Sequence, residues 1–408
     1  MPIWAKDEPK RAMRHGSMDT QMKKIPRILV LIEASREFSR GILSGLALYS
    51  KIRGPWMFVT RPPFYVKDTI DSTVISWIDT LAIDGIILQA RFITDQIRQS
   101  GVPLIALDAN TNLKGIPRIL CNNQRIGQMA AEHLLECGFS HFAFCGFDHL
   151  TWSQQRRDSF RQTVEDAGYP CYIHRQSQRD VLQSWTLEYF SIIDWLAALP
   201  KPLGLMACND DRGQQILEAC KIAGYPVPEE IAVVGADNDQ LECVLTAPPL
   251  SSVSLNLEKA GYQTAETMAN LLQGRKTGDI IVDPIQVVRR QATDIVAVGD
   301  ADVSTALRFI REHADEYIQV NDVIQILSVS RRTLYAKFRK ALGRSVHDEI
   351  VRVRLARIKS LLTDTQLSIS RIAKVMNFTG PDKLFRFFIR ESGKTPTEFR
   401  KNTVGYKT

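Results

Sequence analysis

The sequence lacks the usual marks of catalysis. It has no Gly-rich phosphate loop, no HExxH pair and no nucleophile elbow, so nucleotide, zinc-protease and serine-hydrolase chemistry have no foothold. Seven cysteines are scattered without a CxxC pair and in an odd total. That argues against a disulfide scaffold or clustered zinc site and for a reducing compartment. No apolar run is long enough for a membrane span. Residues 1–24 are basic and polar and lack the apolar core of an export signal, so they read as a disordered tail. The expectation is a cytoplasmic protein with no membrane partner, no metal and no cofactor.

What is present is a chain of 408 residues, 44% apolar and 24% charged, long enough for two or three domains. Its net charge of +7 is unevenly spread. From Val303 onward there are 21 Lys and Arg against 10 Asp and Glu, a balance of +11, which leaves −4 for everything before. A basic terminal domain on a mildly acidic body points to a polyanionic partner for that domain alone.

Within that domain a module is written twice. Val323-Ile324, Leu327-Ser-Val-Ser330, Leu334, Phe338 and Gly343 recur as Ile372-Ala373, Met376-Asn-Phe-Thr379, Leu384, Phe388 and Gly393. The offset is 49 residues before the turn and 50 after it, with Gly380 as the extra residue. Each copy reads as a short helix, a tight turn and a cationic second helix closed by Gly. That is helix-turn-helix geometry. The helix running from His347 onward, including Leu355 to Leu362, joins the copies. A continuous joining helix would hold two reading helices about 34 Å apart, one turn of B-DNA.

The expected reading residues are Arg331, Arg332, Thr333, Tyr335 and Arg339 in copy one, and Asp382, Lys383 and Arg386 in copy two. Arginine can fork onto guanine, Thr can meet a thymine methyl and Asp can accept from cytosine. Asp382 could equally serve the helix dipole. Leu334, Phe338, Leu384 and Phe388 should be core, flanked by Phe385 and Phe387. Copy one has the richer reading face and is expected to carry more of the specificity.

The earlier region alternates strand and helix. Strands are expected at 27–32, 56–60, 84–88, 103–107, 141–145, 203–208, 231–235 and about 251–253. Helices are expected at 38–49, 70–81, 124–137, 154–167, 185–199, 211–223 and 255–272. This is the pattern of an α/β protein with parallel sheets. The fresh series after residue 120 suggests two lobes with a cleft between them. Ligands collect beyond strand C-termini in such sheets. The polar residues there are Glu33, Ser35, Arg36, Arg40, Asp108, Asn110, Asn209, Asp210, Asp237 and Asn238. Carboxylates, amides and guanidinium suit sugar hydroxyls, which both donate and accept. Phe38, Phe64 and Trp152 could wall a ring face. Asp210 or Asp211 could instead cap a helix.

The double module, with Ser330-Arg-Arg-Thr-Leu334, Phe338-Arg339, Gly343, Asn377-Phe378, Phe388 and Gly393-Lys-Thr-Pro396, resembles the AraC/XylS family of transcription regulators. Residues 25–290 resemble the LacI/GalR ligand-binding domain, through Asn122-Asn123, Arg156 before Phe160, Asn209-Asp210 and Val234-Gly-Ala-Asp237-Asn238. The combination resembles sugar-responsive operon regulators. It implies a two-lobed periplasmic-binding-protein-like sensor, a linker over 291–302, and an all-α domain over 303–401 with two helix-turn-helix motifs. It further implies D-xylose as effector and a homodimer on direct repeats of double-stranded DNA near a promoter. As an activator it would engage RNA polymerase. The ligand residues implied or suggested are Arg40, Asp108, Arg156, Asn209, Asp237, Phe38 and Trp152. A repressor, or a regulator answering another pentose or hexose, fits the same residues. The rival classes are an enzyme, which lacks a motif, and an architectural DNA-binding protein, which has no use for a ligand domain.

Overall fold

The computed structural model describes residues 25–60, 70–107, 113, 115–175, 185–294, 300–365 and 367–404. The expectations for the tail at 1–24 and for Phe64, Asp108 and Asn110 lie outside the described residues. Lobe one begins with β1 (Arg27–Leu31), α1 (Glu37–Arg53), β2 (Met57–Thr60), α2 (Ile70–Thr80), β3 (Gly85–Gln89), α3 (Asp95–Gln99), β4 (Leu104–Leu107) and β5 (Arg118–Cys121). Lobe two follows with α4 (Asn123–Glu136), β6 (Phe142–Cys145), α5 (Thr151–Asp166), β7 (Cys171–Ile173), α6 (Trp185–Ala197), β8 (Leu203–Ala207), α7 (Asp210–Ala223), β9 (Ile231–Asp237), α8 (Gln240–Leu245) and β10 (Ser251–Leu255). The chain then returns to lobe one as α9 (Leu257–Leu272) and β11 (Ile280–Val282), and closes lobe two with β12 (Pro284–Val288).

Each lobe holds one six-stranded sheet, ordered β11-β5-β4-β3-β1-β2 and β12-β10-β9-β8-β6-β7. All pairings are parallel except β10 with β12. The central strands are almost wholly apolar and buried, as strands covered on both faces must be. The chain crosses between lobes near Asn122, Asn256 and Asp283. These crossings are tied together: the Asn122 side chain donates to the Asp283 carboxylate at 2.9 Å, and the Asn256 N–H donates to the Asp283 carbonyl at 3.0 Å. The sensor elements not anticipated from sequence (β5, β7, β11, β12, α3 and α8) run three to six residues, too short to show periodicity.

The terminal domain comprises α10 (Ala301–Glu312), α11 (Val320–Gln325), α12 (Arg331–Leu342), α13 (Val346–Asp364), α14 (Ile369–Val375), α15 (Pro381–Ser392) and α16 (Pro396–Val404). Leu334, Phe338, Leu384 and Phe388 are fully buried. Gly343 and Gly393 close α12 and α15 in the left-handed conformation, at φ 67° and 72°, where a side chain would be strained. The joining helix α13 is continuous over 19 residues, about 28 Å at 1.5 Å per residue. Buried Arg354 on this helix donates to the carbonyls of Glu316 and Met376, one from each half of the domain.

The first residues of the expected connector lie against lobe two. Residues 291–293 form a 3-10 turn with Ala292 and Thr293 buried, and the Thr293 hydroxyl donates to Ser251 at 2.8 Å. These residues pack as part of the sensor because their polar groups find partners there. Asp294 then faces the terminal domain. Its carboxylate accepts from Arg352 at 2.8 and 3.0 Å, and its carbonyl from Arg311 at 2.6 Å. Arg311 also pairs with Glu229 of lobe two. Among the described residues no helix is long and apolar enough to cross a membrane.

Candidate functional sites in the cleft and the terminal domain

Between the lobes lies a cleft of about 550 Å³, within the size range of small-molecule sites. Phe38, Trp152, Arg156, Asn209 and Asp237 all line it. They come from the first turn of α1, from α5, and from the C-terminal ends of β8 and β9, where the topology directs ligands.

Arg156 is the centre of the polar set. It is buried and donates to Asn123 at 3.1 Å, to the Cys208 carbonyl at 2.6 Å and to Asp237 at 3.1 Å. Its guanidinium also lies over the Trp152 ring at 5.0 Å. Burial alone would depress the guanidinium, but the charge of Asp237 holds it above its ordinary value. Gly127 lets α4 approach this far. A Cβ there would collide with the Arg156 carbonyl, so helix contact and arginine placement are one feature. Asp237 stands at φ 98° and Asn238 at φ 52°. Non-glycine residues are rarely held there unless their surroundings fix them. The fixing contacts are Ser252 on the Asn238 N–H at 3.0 Å and Arg290 on its side-chain oxygen at 2.8 Å.

The aspartates do different work. Asp210 is buried and accepts from the Ser252 hydroxyl at 2.6 Å and the Asp239 N–H at 2.7 Å. Burial, then the charge of Asp237, pushes its carboxyl well above the usual range. Asn209 is the N-cap of α7, accepting from the Arg212 N–H at 3.1 Å, while its side chain still borders the cleft. The cap expected at Asp210 or Asp211 is thus supplied by Asn209, one residue earlier, because α7 starts at Asp210.

Arg40 stands beside the cleft and, among the described residues, is not part of its lining. Its guanidinium donates to Asp239 across the lobes at 2.8 Å and to the Ser35 carbonyl at 2.8 Å, because Asp239 is the nearest carboxylate it can neutralise. Arg36 lines the cleft instead and pairs with Asp211 at 2.7 Å. That hydrogen bond raises the Arg36 guanidinium above its ordinary value. With the Glu37 N–H on Asp239 at 2.8 Å, these contacts fasten lobe one to lobe two at the cleft edge. Gln89, Asn123 and Gln155 also line the cleft. Gln89 ends β3, so the strand-end rule applied to the other strands would have found it. The side-chain oxygen of Gln89 is buried and, among the described residues, has no hydrogen-bond partner, which leaves an acceptor for a ligand hydroxyl.

In the terminal domain every expected reading residue (Arg331, Arg332, Thr333, Tyr335, Arg339, Asp382, Lys383 and Arg386) is exposed. α12 is capped by Ser330, which accepts from the Thr333 N–H at 3.2 Å. α15 begins at Gly380-Pro381 without a side-chain cap, and Asn377, in the turn before it, is left-handed at φ 51°. Phe387 packs on Phe378, whereas Phe385 is 39% exposed.

Comparison with known proteins agrees with both halves. A periplasmic binding protein-like domain model matches residues 131–293, and a helix-turn-helix domain model matches residues 323–402. Fold and matches together define a transcription regulator with a periplasmic-binding-protein-like sensor ahead of a DNA-binding domain. The chain is 32% identical to the xylose operon regulatory protein of Haemophilus influenzae over 391 residues, 92% of this chain and 98% of that one. It is 29% identical to the namesake in Escherichia coli over 388 residues, 92% and 96% of the two chains. A solved structure of a xylose-binding transcription activator, XylR, superposes with a TM-score of 0.75 at 27% identity, covering 93% of this chain and 99% of that one. The chain belongs to the family of xylose operon regulatory proteins. Like those relatives it is a transcription regulator and not an enzyme.

Proposed function

We propose that this protein is a D-xylose-dependent activator that binds direct repeats as a homodimer and engages RNA polymerase. The observation that carries the effector is the pair of buried Arg156 and half-buried Asp237 on the lobe-two wall of the cleft, with Trp152 against the guanidinium. A charged pair flanked by amides and an aromatic face suits the hydroxyls and ring of a pentose. The xylose-binding relative supports xylose among the pentoses. Phe38, Trp152, Arg156, Asn209 and Asp237 are the contacts in this reading, with Asp108 as a further candidate.

Sugar that binds the closed cleft better than the open one shifts the population of sensor states. If closing repositions the terminal domain through Asp294, Arg311 and Arg352, DNA affinity rises by the same coupling factor. The test is calorimetry with a pentose and hexose panel, alongside DNA-binding and promoter assays with and without sugar. D-xylose should bind, and Arg156→Ala should weaken it by about 2 kcal/mol or more, the cost of removing a buried charged partner. A flat panel, or xylose binding that leaves DNA affinity and promoter output unchanged, rejects the proposal.

A further inference from the structure

The exposed face of α15 is unlike that of α12. Residues at i, i+3, i+4 and i+7 form one outward strip on each helix. On α12 the strip is Arg332, Tyr335, Ala336 and Arg339. On α15 it is Asp382, Phe385, Arg386 and Ile389. Phe385 is 39% and Ile389 37% exposed, and neither joins the packed cluster around Leu384 and Phe388. Two large apolar side chains one turn apart thus stand in water on a recognition helix. Exposed Lys383 and Arg386 flank them, so the strip lies within a cationic surface. Arg390 on the same helix is engaged by Glu391 at 2.5 Å.

We propose that Phe385 and Ile389 read thymine methyl groups in the major groove, making α15 an apolar reader of A·T pairs beside the polar reader α12. The inference rests on the DNA-binding reading above and adds a base class to it. The thymine C5-methyl is the one apolar group the major groove offers, and Phe is among the side chains that meet it. The flanking cations fit the phosphates on either side. A protein partner for the apolar pair would have to accept that cationic rim, which the duplex does by its own charge.

The experiment is selection of duplexes from a random pool by the full-length protein, followed by affinity measurements on the selected site. Thymines in the α15 half-site are replaced one at a time by deoxyuridine, which removes only the methyl. Wild type should lose about fourfold per contacted methyl, the factor that corresponds to burying one methylene-sized group. The Phe385→Ala/Ile389→Ala variant should bind more weakly and become indifferent to the replacement. Retained discrimination against base-pair changes in the α12 half-site shows that the variant is folded, and Phe385→Leu should restore part of the effect. Wild-type indifference to deoxyuridine overturns the inference, as does undiminished sensitivity in the double variant. A variant with unchanged DNA binding but lower output with RNA polymerase also overturns it, in favour of a protein contact. If wild type selects no duplex at all, the proposed function itself fails, a result distinct from a selected site without methyl sensitivity.

Discussion

In the first helix-turn-helix the buried positions of the recognition helix are Leu334 and Phe338; in the second they are Leu384 and Phe388. The run of buried and exposed residues along α12 and α15 is the same from residue 331 to 340 and from 381 to 390. Both helices close on a left-handed glycine. Outside that frame the copies part. One presents Arg331, Arg332 and Arg339, and the other Pro381, Asp382 and Ile389 at the matching places. The shared positions set the shape, and the unshared ones face outward where a sequence can be read. Duplication has kept the packing and released the reading surface.

The largest effect expected tests the shared half. Phe338→Ala and Phe388→Ala should each destabilise the terminal domain by about 3–5 kcal/mol, the range for truncating a buried aromatic. The two losses should agree within about 1 kcal/mol if the frames are equivalent. Thermal and urea unfolding of the two variants measures both. A loss in one copy alone would break the comparison.

This division also explains what could be read from sequence. The repeat, the core pairs and the closing glycines were legible because buried apolar spacing and turn chemistry are local properties. The two-lobed sensor was legible in its long central strands. Its edge was not: β11 runs three residues and pairs with β5 far off in the chain, and β12 returns antiparallel to β10 with a register shift at Ser254/Leu255. In the cleft, Arg156 and Asp237 stand at strand and helix positions that a sequence can mark, whereas the partner of Arg40 is Asp239, from the other lobe. Which of two neighbouring arginines, Arg36 or Arg40, borders a cleft depends on carboxylates 175 and 199 residues away. No local pattern records that.

The next effect tests the unshared half. Arg331→Ala and Arg332→Ala should each cost about 1–3 kcal/mol of specific DNA affinity if the guanidinium reads a base, with relaxed preference at one position. If it grips phosphate only, binding should weaken evenly across sequences and the salt dependence should fall. Asp382→Ala, at the place matching Arg332, should leave affinity unchanged or raise it, since it removes an anion from a surface facing phosphate. Anisotropy titrations at several salt concentrations separate these outcomes. Equal losses at Arg332 and Asp382 would mean that the copies read alike after all.

The smallest effect concerns the one place where the shared frame itself differs. Ser330 caps α12 through the Thr333 N–H, whereas Gly380 opens α15 with no side-chain cap. Ser330→Ala should therefore cost about 1 kcal/mol, the usual loss of a serine cap. Gly380→Ser should do the reverse by only a few tenths of a kcal/mol, because glycine is already a tolerable cap residue. Gly380 is extended at φ −179°, and a Cβ there meets nothing within 4 Å, so the added hydroxyl has room to reach the amide of Lys383. Paired thermal unfolding resolves the first change, since about 1 kcal/mol moves the midpoint by roughly 4–8 °C in a domain of this size. A stabilisation by Gly380→Ser that leaves DNA affinity intact would make the missing cap a tolerated gap. A stabilisation that weakens DNA binding would tie the bare Gly380-Pro381 start of α15 to its approach to the duplex.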